Sequence, residues 1–310
     1  MENGSIRPLS GKIIKGVGGF YYVHLQDNRI FECKAKGAFR NRNIKPAVGD
    51  NVLMDIIDEQ ALTGNVVDIL SRKNSLIRPA VSNVDQAVII FALSDPKPNF
   101  NLLDRFLIMM DYQQVKTIIC FNKADLVSYE DADKVKSIYE ACGYDVIITS
   151  TYSMGELSGD MVAYDGVDIL KTLISGKTTV FAGPSGVGKS SLLNAINPDS
   201  QAKTGSISEK IKRGKHTTRH SELISVGVNT YIMDTPGFSS LFVDNMECDE
   251  LRDYYNEFAK LQGDCRFQGC AHINEPDCKV KEALERGEIS QLRYDNYKQL
   301  YQELKDKKKW

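Results

Sequence analysis

The first 72 residues alternate β-forming and polar positions in short runs. The clearest runs are GFYYVHL, RIFECKA, DNVLMDII and NVVDIL, with turn sequences such as QDN and PAVG between them. Short runs bounded by Gly, Pro, Asn and Asp are typical of strands joined by tight turns. About five strands in so short a segment favour a small barrel. We therefore predict a β-barrel domain over residues 1–72.

A different pattern begins at about residue 73. DQAVIIFAL is a continuous apolar run of the kind found in parallel strands that are buried on both faces. A helical pattern follows, NLLDRFLIMMDYQ, and strand and helix patterns then alternate as far as TTVFAG. Such alternation forms βαβ units on a parallel sheet. We predict an α/β domain over residues 73–242 and a mostly helical domain with little core of its own over residues 243–310.

The composition adds limits on location and partners. The chain is 42% hydrophobic and 26% charged, with a net charge of −2, so any RNA-binding surface must be local. Its first residues, MENGSIRPLSGK, lack an apolar signal run, and no segment approaches the roughly 20 apolar residues of a membrane helix. We expect a cytoplasmic protein without membrane contact, in which the seven cysteines are reduced.

One basic segment lies within the predicted barrel. A loop carrying several positive charges suits a phosphate backbone, although a merely solvated loop stays an open alternative. The residues are Lys34, Lys36, Arg40, Arg42 and Lys45.

The sequence GPSGVGKSS fits the phosphate-binding pattern G-x-x-x-x-G-K-[ST]. It follows the strand pattern TTVFA and precedes the helix pattern SLLNAI, as the mechanism requires. The glycines let backbone N–H groups surround a phosphate, Lys189 brings positive charge to the β- and γ-phosphates, and Ser190 offers a hydroxyl to Mg²⁺. The expected nucleotide-binding residues are Gly183, Pro184, Ser185, Gly186, Val187, Gly188, Lys189, Ser190 and Ser191.

The sequence NKAD selects the base. It follows the apolar strand pattern TIICF, so it lies at the carboxyl end of a strand, where α/β sheets bind ligands. The Asp125 carboxylate can accept hydrogen bonds from the N1–H and 2-amino groups of guanine, which adenine lacks. Asn122 and Lys123 would brace the base and the phosphate loop. Together with Ala124, these residues predict a GTP site.

Two further segments complete the predicted site. DTPG follows the strand pattern TYIM, so Asp234 can hold Mg²⁺ and the Gly237 N–H can contact the γ-phosphate. The basic segment before it, SISEKIKRGKHTTRHSELI, is expected to be a mobile loop in which Thr218, or Thr217, closes on Mg²⁺. An ordinary basic loop is the alternative.

The segment TSTYS follows the strand pattern DVII. Ser150 and Thr151 can present backbone N–H groups to the guanine O6, although Ser/Thr-rich loops after strands are common without that role.

These motifs occur in a rotated order. A standard small GTPase has the phosphate loop first, then DxxG, then NKxD, whereas here NKAD and TSTYS precede the phosphate loop. The cyclic order is kept, which indicates a circular permutation, and buried contacts do not depend on where the termini lie. As a result DTPG leads directly into the C-terminal region, and loss of the γ-phosphate is expected to move that region through Gly237.

The residue after DTPG is Phe238, where other GTPases carry a Gln that orients the attacking water. Phe cannot do this. His216 in GKHTT is a candidate, since a loop imidazole can hydrogen-bond water; an exposed loop histidine without a role is the alternative. The expected catalytic residues are therefore His216, Lys189, Thr218 and Gly237. We expect slow intrinsic hydrolysis and a partner that completes the site.

Three of the seven cysteines are clustered with a histidine. CRFQGCAHINEPDC gives the spacing C-x4-C-x-H-x5-C. Three thiolates and one imidazole form a closed tetrahedral zinc site, and four protein ligands indicate a structural ion. The predicted ligands are Cys265, Cys270, His272 and Cys278.

Together these features resemble the ribosome small-subunit-dependent GTPase A family of circularly permuted GTPases. The resemblance covers essentially the whole chain: the short-strand N-terminal region, NKAD before GPSGVGKSS, GKHTTRH, DTPGF and the cysteine cluster. It implies an oligonucleotide-binding (OB) barrel, a central permuted P-loop GTPase domain and a C-terminal zinc domain. TSTYS departs from the family's Ser-Ala loop.

The resemblance also implies a function. It implies binding to the small ribosomal subunit through its rRNA, hydrolysis of GTP to GDP and phosphate stimulated by that subunit, and a role in its late maturation. We expect a monomer. Two alternatives stay open: a GTP-dependent regulator of another RNA or protein, and an RNA-binding module with a relic nucleotide site, against which Lys189, Ser190 and Asp234 argue.

Overall fold

The computed structural model describes residues 8–36, 39, 45–77, 79–151, 165–198, 222–234 and 246–307. The chain forms two compact units, which comprise residues 1–87, 170–181 and 190–236, and residues 88–169, 182–189 and 237–310. Among the helices in the described ranges, none has the length and apolarity that crossing a membrane requires.

The described strands and helices follow one another in the predicted rhythm. The strands are β1 Leu9–Val17, β2 Phe20–Leu25, β3 Ile30–Ala35, β4 Asn51–Asp58, β5 Thr63–Ile69, β6 Ser75–Leu76, β7 Val81–Ser82, β8 Gln86–Ala92, β9 Lys116–Asn122, β10 Asp145–Ile148, β11 Thr178–Ala182, β12 Leu223–Gly227 and β13 Thr230–Asp234. The helices are α1 Phe100–Tyr112, α2 Tyr129–Ala141, α3 Gly166–Ile174, α4 Lys189–Ile196, α5 Asn256–Ala259, α6 Lys279–Glu285 and α7 Gln291–Lys307.

Five strands of the first unit form a closed barrel in the order β1-β2-β3-β5-β4. β1 closes it by pairing antiparallel with β4, and β3 runs parallel to β5. Gly18 and Gly19 make the two-residue turn between β1 and β2, with φ of 60° and 85°, values that the right-handed twist of a tight hairpin requires. The barrel confirms the sequence prediction, although the pattern did not single out β1, whose run LSGKIIKGV is interrupted by glycine.

The barrel core comes from the inward positions of each strand. In β3 the pattern is strict, since Phe31 and Cys33 are buried while Glu32 and Lys34 are exposed. Burial of apolar side chains on one face fixes the register, because a shift by one residue would turn every side chain to the other face. The core is formed by Ile13, Val23, Leu25, Phe31, Cys33, Phe39, Val52, Met54 and Val66.

The longer remaining strands form a six-stranded sheet in the order β10-β9-β8-β11-β13-β12. β10 is parallel to β9 and β13 is parallel to β11, as predicted for an α/β domain. In the first unit, the Thr178 N–H donates to the Asp85 carboxylate (2.8 Å) where β11 begins. In the second unit, the Leu93 N–H donates to the Asn122 carbonyl (2.9 Å) just after β8 ends.

The edge strand β12 differs from the sequence prediction. We expected a loop that extends through Ile224, whereas the chain pairs antiparallel with β13 from Leu223 onward. A five-residue edge strand whose one buried residue is Leu223 has too short a pattern to be recognised. This hairpin contacts the barrel within the first unit: the Tyr231 hydroxyl lies 2.9 Å from His24 Nδ1, and Lys15 pairs with Glu222 at 2.9 Å.

The C-terminal residues have an aromatic core, contrary to our expectation of little core. The rings of Tyr255 and Phe258 stack at 5.2 Å, and Tyr297 of α7 meets Phe258 edge-on at 4.9 Å. Composition alone did not reveal this core, because its rings are separated by charged residues in the sequence.

A buried polar network joins α7 to α1 within the second unit. The Arg293 guanidinium pairs with the Asp104 carboxylate and with Glu257 (2.8 Å), and Arg293 and Asp104 are almost completely buried. Asn296 and Tyr139 also donate to Asp104, at 2.6 and 3.2 Å. Burial raises the pKa of Asp104, while the charge of Arg293 opposes that rise.

We predict that Arg293→Gln lowers the free energy of unfolding by about 3–5 kcal/mol at neutral pH, because two carboxylates lose their buried counter-ion. Burial favours the neutral form of Asp104, so the folded state binds a proton more readily than the unfolded state, and the loss shrinks as the pH falls. Urea unfolding at about pH 8 and about pH 5.5 measures both effects.

The matched control is Lys298→Gln, on the same helix, whose exposed ion pair with Asp295 is expected to contribute less than about 1 kcal/mol. Equal losses for the two variants, or a loss that grows on acidification, would contradict the role given to Arg293.

Candidate nucleotide site and metal cluster

The predicted phosphate-binding loop lies between β11 and α4. Gly183 and Gly188 have φ of 147° and 93°, in the region that favours glycine. A Cβ at Gly183 would lie 2.1 Å from the Ile90 carbonyl oxygen, and one at Gly188 would lie 2.3 Å from Asn122 Nδ2. The glycines therefore allow the close approach of neighbouring chain segments as well as the turn itself.

Lys189 begins α4, and its ammonium lies over the loop that precedes it. Nζ donates to the carbonyls of Gly183 (2.9 Å) and Pro184 (2.7 Å). The side chain is largely buried, so its charge is directed to the interior of the loop. Ser190 and Ser191 follow in the first turn of α4, where N–H groups lack partners within the helix and favour anions.

Asn122 connects the phosphate loop to the ends of β9 and β10. It ends β9 and is 1% exposed. Its Nδ2 donates to the Val187 carbonyl (2.9 Å), and its Oδ1 accepts from the Thr149 hydroxyl (3.0 Å), just after β10. The sequence predicted that Asn122 braces the phosphate loop, and the structure brings the two together. The role of Thr149 had no sequence signal.

Asp125 lies in the short 3-10 turn Ala124–Leu126, with the Ala124 N–H bonded to the Thr149 carbonyl (3.1 Å). Its carboxylate accepts a 2.7 Å hydrogen bond from the Ser150 hydroxyl. Ser150 was predicted to act through its backbone N–H, whereas the structure gives its side chain a second role, which is to orient this carboxylate. Thr151, the next residue in the chain, is exposed.

Lys123 has a left-handed backbone, with φ of 60°. Its ammonium donates to the carbonyl of Asp95, in the loop that follows β8. The sequence gave no role to that loop. The left-handed backbone of Lys123 ends the extended course of β9 and leads into the turn that carries Asp125.

The predicted magnesium and catalytic residues are only partly described. Asp234 ends β13 and is in register with Phe181 of β11, two residues before Gly183. This places it at the carboxyl end of β13, level with the end of β11. His216, Thr217, Thr218, Gly237 and Phe238 lie outside the described residues.

The four predicted zinc ligands lie together. Their ligating atoms are all within 4.8 Å of one another. His272 Nδ1 is 3.3 Å from the Cys278 sulfur and 3.7 Å from that of Cys265, and the two sulfurs are 4.0 Å apart. A tetrahedral ion with bonds of about 2.0–2.3 Å separates its ligand atoms by about 3.3–3.8 Å. The two distances from His272 lie in this range and the sulfur–sulfur distance is slightly longer, so the cluster has the donor set of a closed metal site and nearly its dimensions.

Neighbouring side chains hold the backbone of this loop. The Tyr294 and Tyr297 hydroxyls of α7 donate to the carbonyls of His272 (2.7 Å) and Ala271 (2.6 Å). The Glu275 carboxylate accepts from three N–H groups of the loop, including that of Ala271 at 3.0 Å. These supports come from residues outside the cysteine pattern, so the spacing of the ligands did not indicate them.

Burial also determines the protonation of the cluster residues. Burial raises the pKa of Cys270 to about 12, and burial together with Arg252 lowers the pKa of His272 to about 4. His272 is therefore neutral at neutral pH and retains a lone pair. A thiol buried in this way loses its proton only when a positive charge lies beside it, which a bound divalent ion would supply.

The sequence matches two family models. Residues 69–244 match the model described as RsgA GTPase, and residues 10–63 match the RsgA N-terminal domain. A "Small ribosomal subunit biogenesis GTPase RsgA" of Agathobacter rectalis is 55% identical over 312 residues, covering 97% of this chain and 100% of that protein. A protein of the same name from Alkaliphilus metalliredigens is 47% identical, covering 97% and 99%.

Solved structures agree with these matches. The crystal structure of YloQ, described as a circularly permuted GTPase, aligns with a TM-score of 0.75 at 37% identity, covering 99% of this chain and 98% of that one. That of YjeQ from Thermotoga maritima aligns with a TM-score of 0.76 at 33% identity, covering 96% and 99%. The permutation inferred from the motif order is thus found in a solved relative.

We predict that Thr149→Val lowers the free energy of unfolding by about 1–3 kcal/mol, because the buried Asn122 Oδ1 loses its donor while the side-chain shape is kept. Thr151→Val is the matched control, since that residue is exposed, and its effect should be within about 0.5 kcal/mol. Chemical unfolding of both variants measures the difference. An unchanged Thr149→Val protein would contradict the bridging role of Asn122.

Proposed function

The chain belongs to the RsgA GTPase family, and we propose that it acts as a GTP-hydrolysing switch in the late maturation of the small ribosomal subunit. The observation that carries the proposal is the contact of Asn122 with Val187, which joins the predicted base-reading segment to the phosphate loop. The names of the relatives supply the ribosomal subunit as the partner.

We infer that residues 183–191 bind the phosphates and residues 122–125 bind guanine. Asp125 accepts the N1–H and 2-amino donors, and Ser150 supports it by holding one carboxylate oxygen. Adenine offers no donors to a carboxylate held in this way. The carboxylate would stay without hydrogen bonds, and this cost selects guanine over adenine. Lys189 neutralises charge on the β- and γ-phosphates.

The hydrolytic step follows from the same arrangement. Ser190, Asp234 and Thr218 would hold Mg²⁺, which when bound neutralises the charge that develops on the phosphates. His216 would orient the attacking water in place of a Gln, and the Gly237 N–H would contact the γ-phosphate. We propose that the bound small ribosomal subunit completes these contacts to the water and the γ-phosphate.

We further propose that the four-residue cluster binds one structural Zn²⁺. Its three thiolates and imidazole match the preference of zinc, and all four positions of a tetrahedron are filled by protein. Such an ion fixes the fold of the loop and takes no part in hydrolysis.

The remaining assignments concern the whole protein. We propose that it is a cytoplasmic monomer with a barrel domain over residues 1–72, a GTPase domain over 73–242 and a zinc domain over 243–310. The barrel contacts rRNA, and its basic loop supplies charge that the protein as a whole lacks.

The rate of GTP hydrolysis with and without purified small subunits tests this function. We expect slow hydrolysis by the protein alone, at least about tenfold stimulation by small subunits, and none by large subunits. Lys189→Ala should abolish the stimulated rate, whereas Lys134→Ala, a change of an exposed residue of α2, should keep it. Hydrolysis unaffected by small subunits would favour a regulator of another RNA or protein.

Metal analysis tests the zinc assignment. We expect about one zinc per chain, and less than about 0.1 in Cys270→Ala, because a closed site with three ligands binds far more weakly. The matched control is Cys248→Ala, a buried cysteine of the same core outside the cluster, which should keep its zinc. Equal zinc contents in the two variants would count against the site.

A further inference from the structure

The outward face of the barrel carries two aromatic rings in a row on β2. Phe20 and Tyr22 are partly exposed and point away from the core, whereas Val23 is buried in it and Tyr21 packs against it. Residues two apart on a strand lie on one face, about 6.6 Å from each other. A hydrophobic pair at this spacing is the arrangement by which sheets stack successive bases.

A lysine from each neighbouring strand lies over one of these rings. Lys34 of β3 is paired in register with Phe20, and its Nζ lies 5.1 Å from the ring centroid. Lys15 of β1 is paired with Tyr22, and its Nζ lies 5.9 Å from that centroid. Three strands therefore place two rings in the middle and an ammonium group on each side.

We propose that Phe20 and Tyr22 form a stacking site for two adjacent unpaired bases of a single-stranded RNA, with Lys15 and Lys34 binding the flanking phosphates. This inference rests on the proposed function, which makes RNA the partner of the barrel. We call these four residues the stacking platform.

Binding requires the lysines to leave the ring faces. An ammonium over an exposed ring is held weakly, whereas a base on an aromatic ring is held more strongly. Lysine has a long flexible side chain and reaches a phosphate after a base has taken its place. In the absence of RNA the two ammonium groups thus lie over the ring faces on which the bases would stack.

The nearby carboxylates fix where the phosphates can lie. Lys15 pairs with Glu222 at 2.9 Å, and the Tyr22 hydroxyl donates to Glu32 at 2.9 Å. The first is an exposed ion pair, which a phosphate can displace at small cost. Glu32 is the cross-strand partner of Tyr22 on β3, so its charge repels a phosphate from that side of Tyr22 and favours phosphates beside the lysines.

The end of the hairpin leaves room for a strand of RNA. The turn has two residues, and a Cβ added to Gly18 or Gly19 would meet nothing within 4 Å. Stacking on a ring needs an unstacked base, which a duplex does not offer. Since every base has an aromatic face, the platform tolerates many sequences.

The test uses the full chain and a fluorescent, unstructured RNA of about 12 nucleotides, with binding followed by anisotropy over a range of salt concentrations. We expect Phe20→Leu and Tyr22→Leu each to weaken binding about 5- to 150-fold without changing the salt dependence. Lys34→Gln should reduce the slope of log K against log salt by about 0.7, the contribution of one phosphate.

Controls separate stacking from folding. Phe20→Tyr and Tyr22→Phe keep an aromatic ring and should bind within about twofold of the wild type. Tyr112→Leu removes an exposed ring on α1, far along the sequence from the platform, and should leave binding unchanged. Weak binding by the aromatic replacements as well as by the leucine variants would show a structural effect and overturn the platform.

Other outcomes also decide the question. Wild-type affinity in both leucine variants, or equal affinity for a duplex of the same length, overturns the platform while leaving RNA binding intact. An absence of single-strand binding, with hydrolysis still stimulated by small subunits, overturns the platform and leaves the proposed function standing. The expected binding pattern without stimulation by small subunits supports the platform and contradicts the proposed function.

Discussion

The side-chain amide of Asn122 is the contact on which the candidate nucleotide site depends. It is almost fully buried, so both of its polar atoms need partners. Its partners come from two other segments, the Val187 carbonyl of the phosphate loop and the Thr149 hydroxyl after β10. The end of β9, the end of β10 and the phosphate loop therefore hold one another in place. Asp125 takes its position from the same arrangement, through Ser150.

This constraint explains why a rotated sequence order is compatible with a GTPase site. The contacts join strand ends across a sheet, and none of them depends on which segment is synthesised first. The rotation does change which segments come after the last sheet strand. In this chain they include the metal cluster and α7, and α7 is fixed to α1 by Arg293 and Asp104. The C-terminal residues thus share a compact unit with the base-reading segment.

The sequence predicted the parts of the fold that have a strong local signal. Continuous apolar strands, a glycine-rich loop and clustered cysteines each carry their pattern within a short continuous segment, the longest of which is residues 265–278. The family resemblance was confirmed by the family models and the relatives. β12 was missed because a short edge strand beside a basic segment has no distinctive period.

The supporting contacts could not be predicted, because they join residues that are distant in sequence. Glu275 and Tyr294 hold the metal loop, yet each looks like an ordinary polar residue in the sequence. Ser150 was predicted to act through its backbone N–H, and nothing in the sequence indicated the hydrogen bond from its hydroxyl to Asp125. Only the folded chain brings their hydrogen-bonding groups to these partners. A sequence motif therefore identifies the residues that contact a ligand, but not the residues that hold those side chains in position.

Calorimetric titration of the wild type and of Asp125→Asn with GTP, ATP and XTP tests the central claim most directly. An amide at this position presents a donor to the 2-oxo group of xanthine, where the carboxylate accepts from the 2-amino group of guanine. We predict that the wild type binds GTP at least about a thousandfold more tightly than ATP, and that the variant prefers XTP. A wild type that binds ATP as tightly as GTP, or a variant whose preference for GTP is unchanged, would contradict the account.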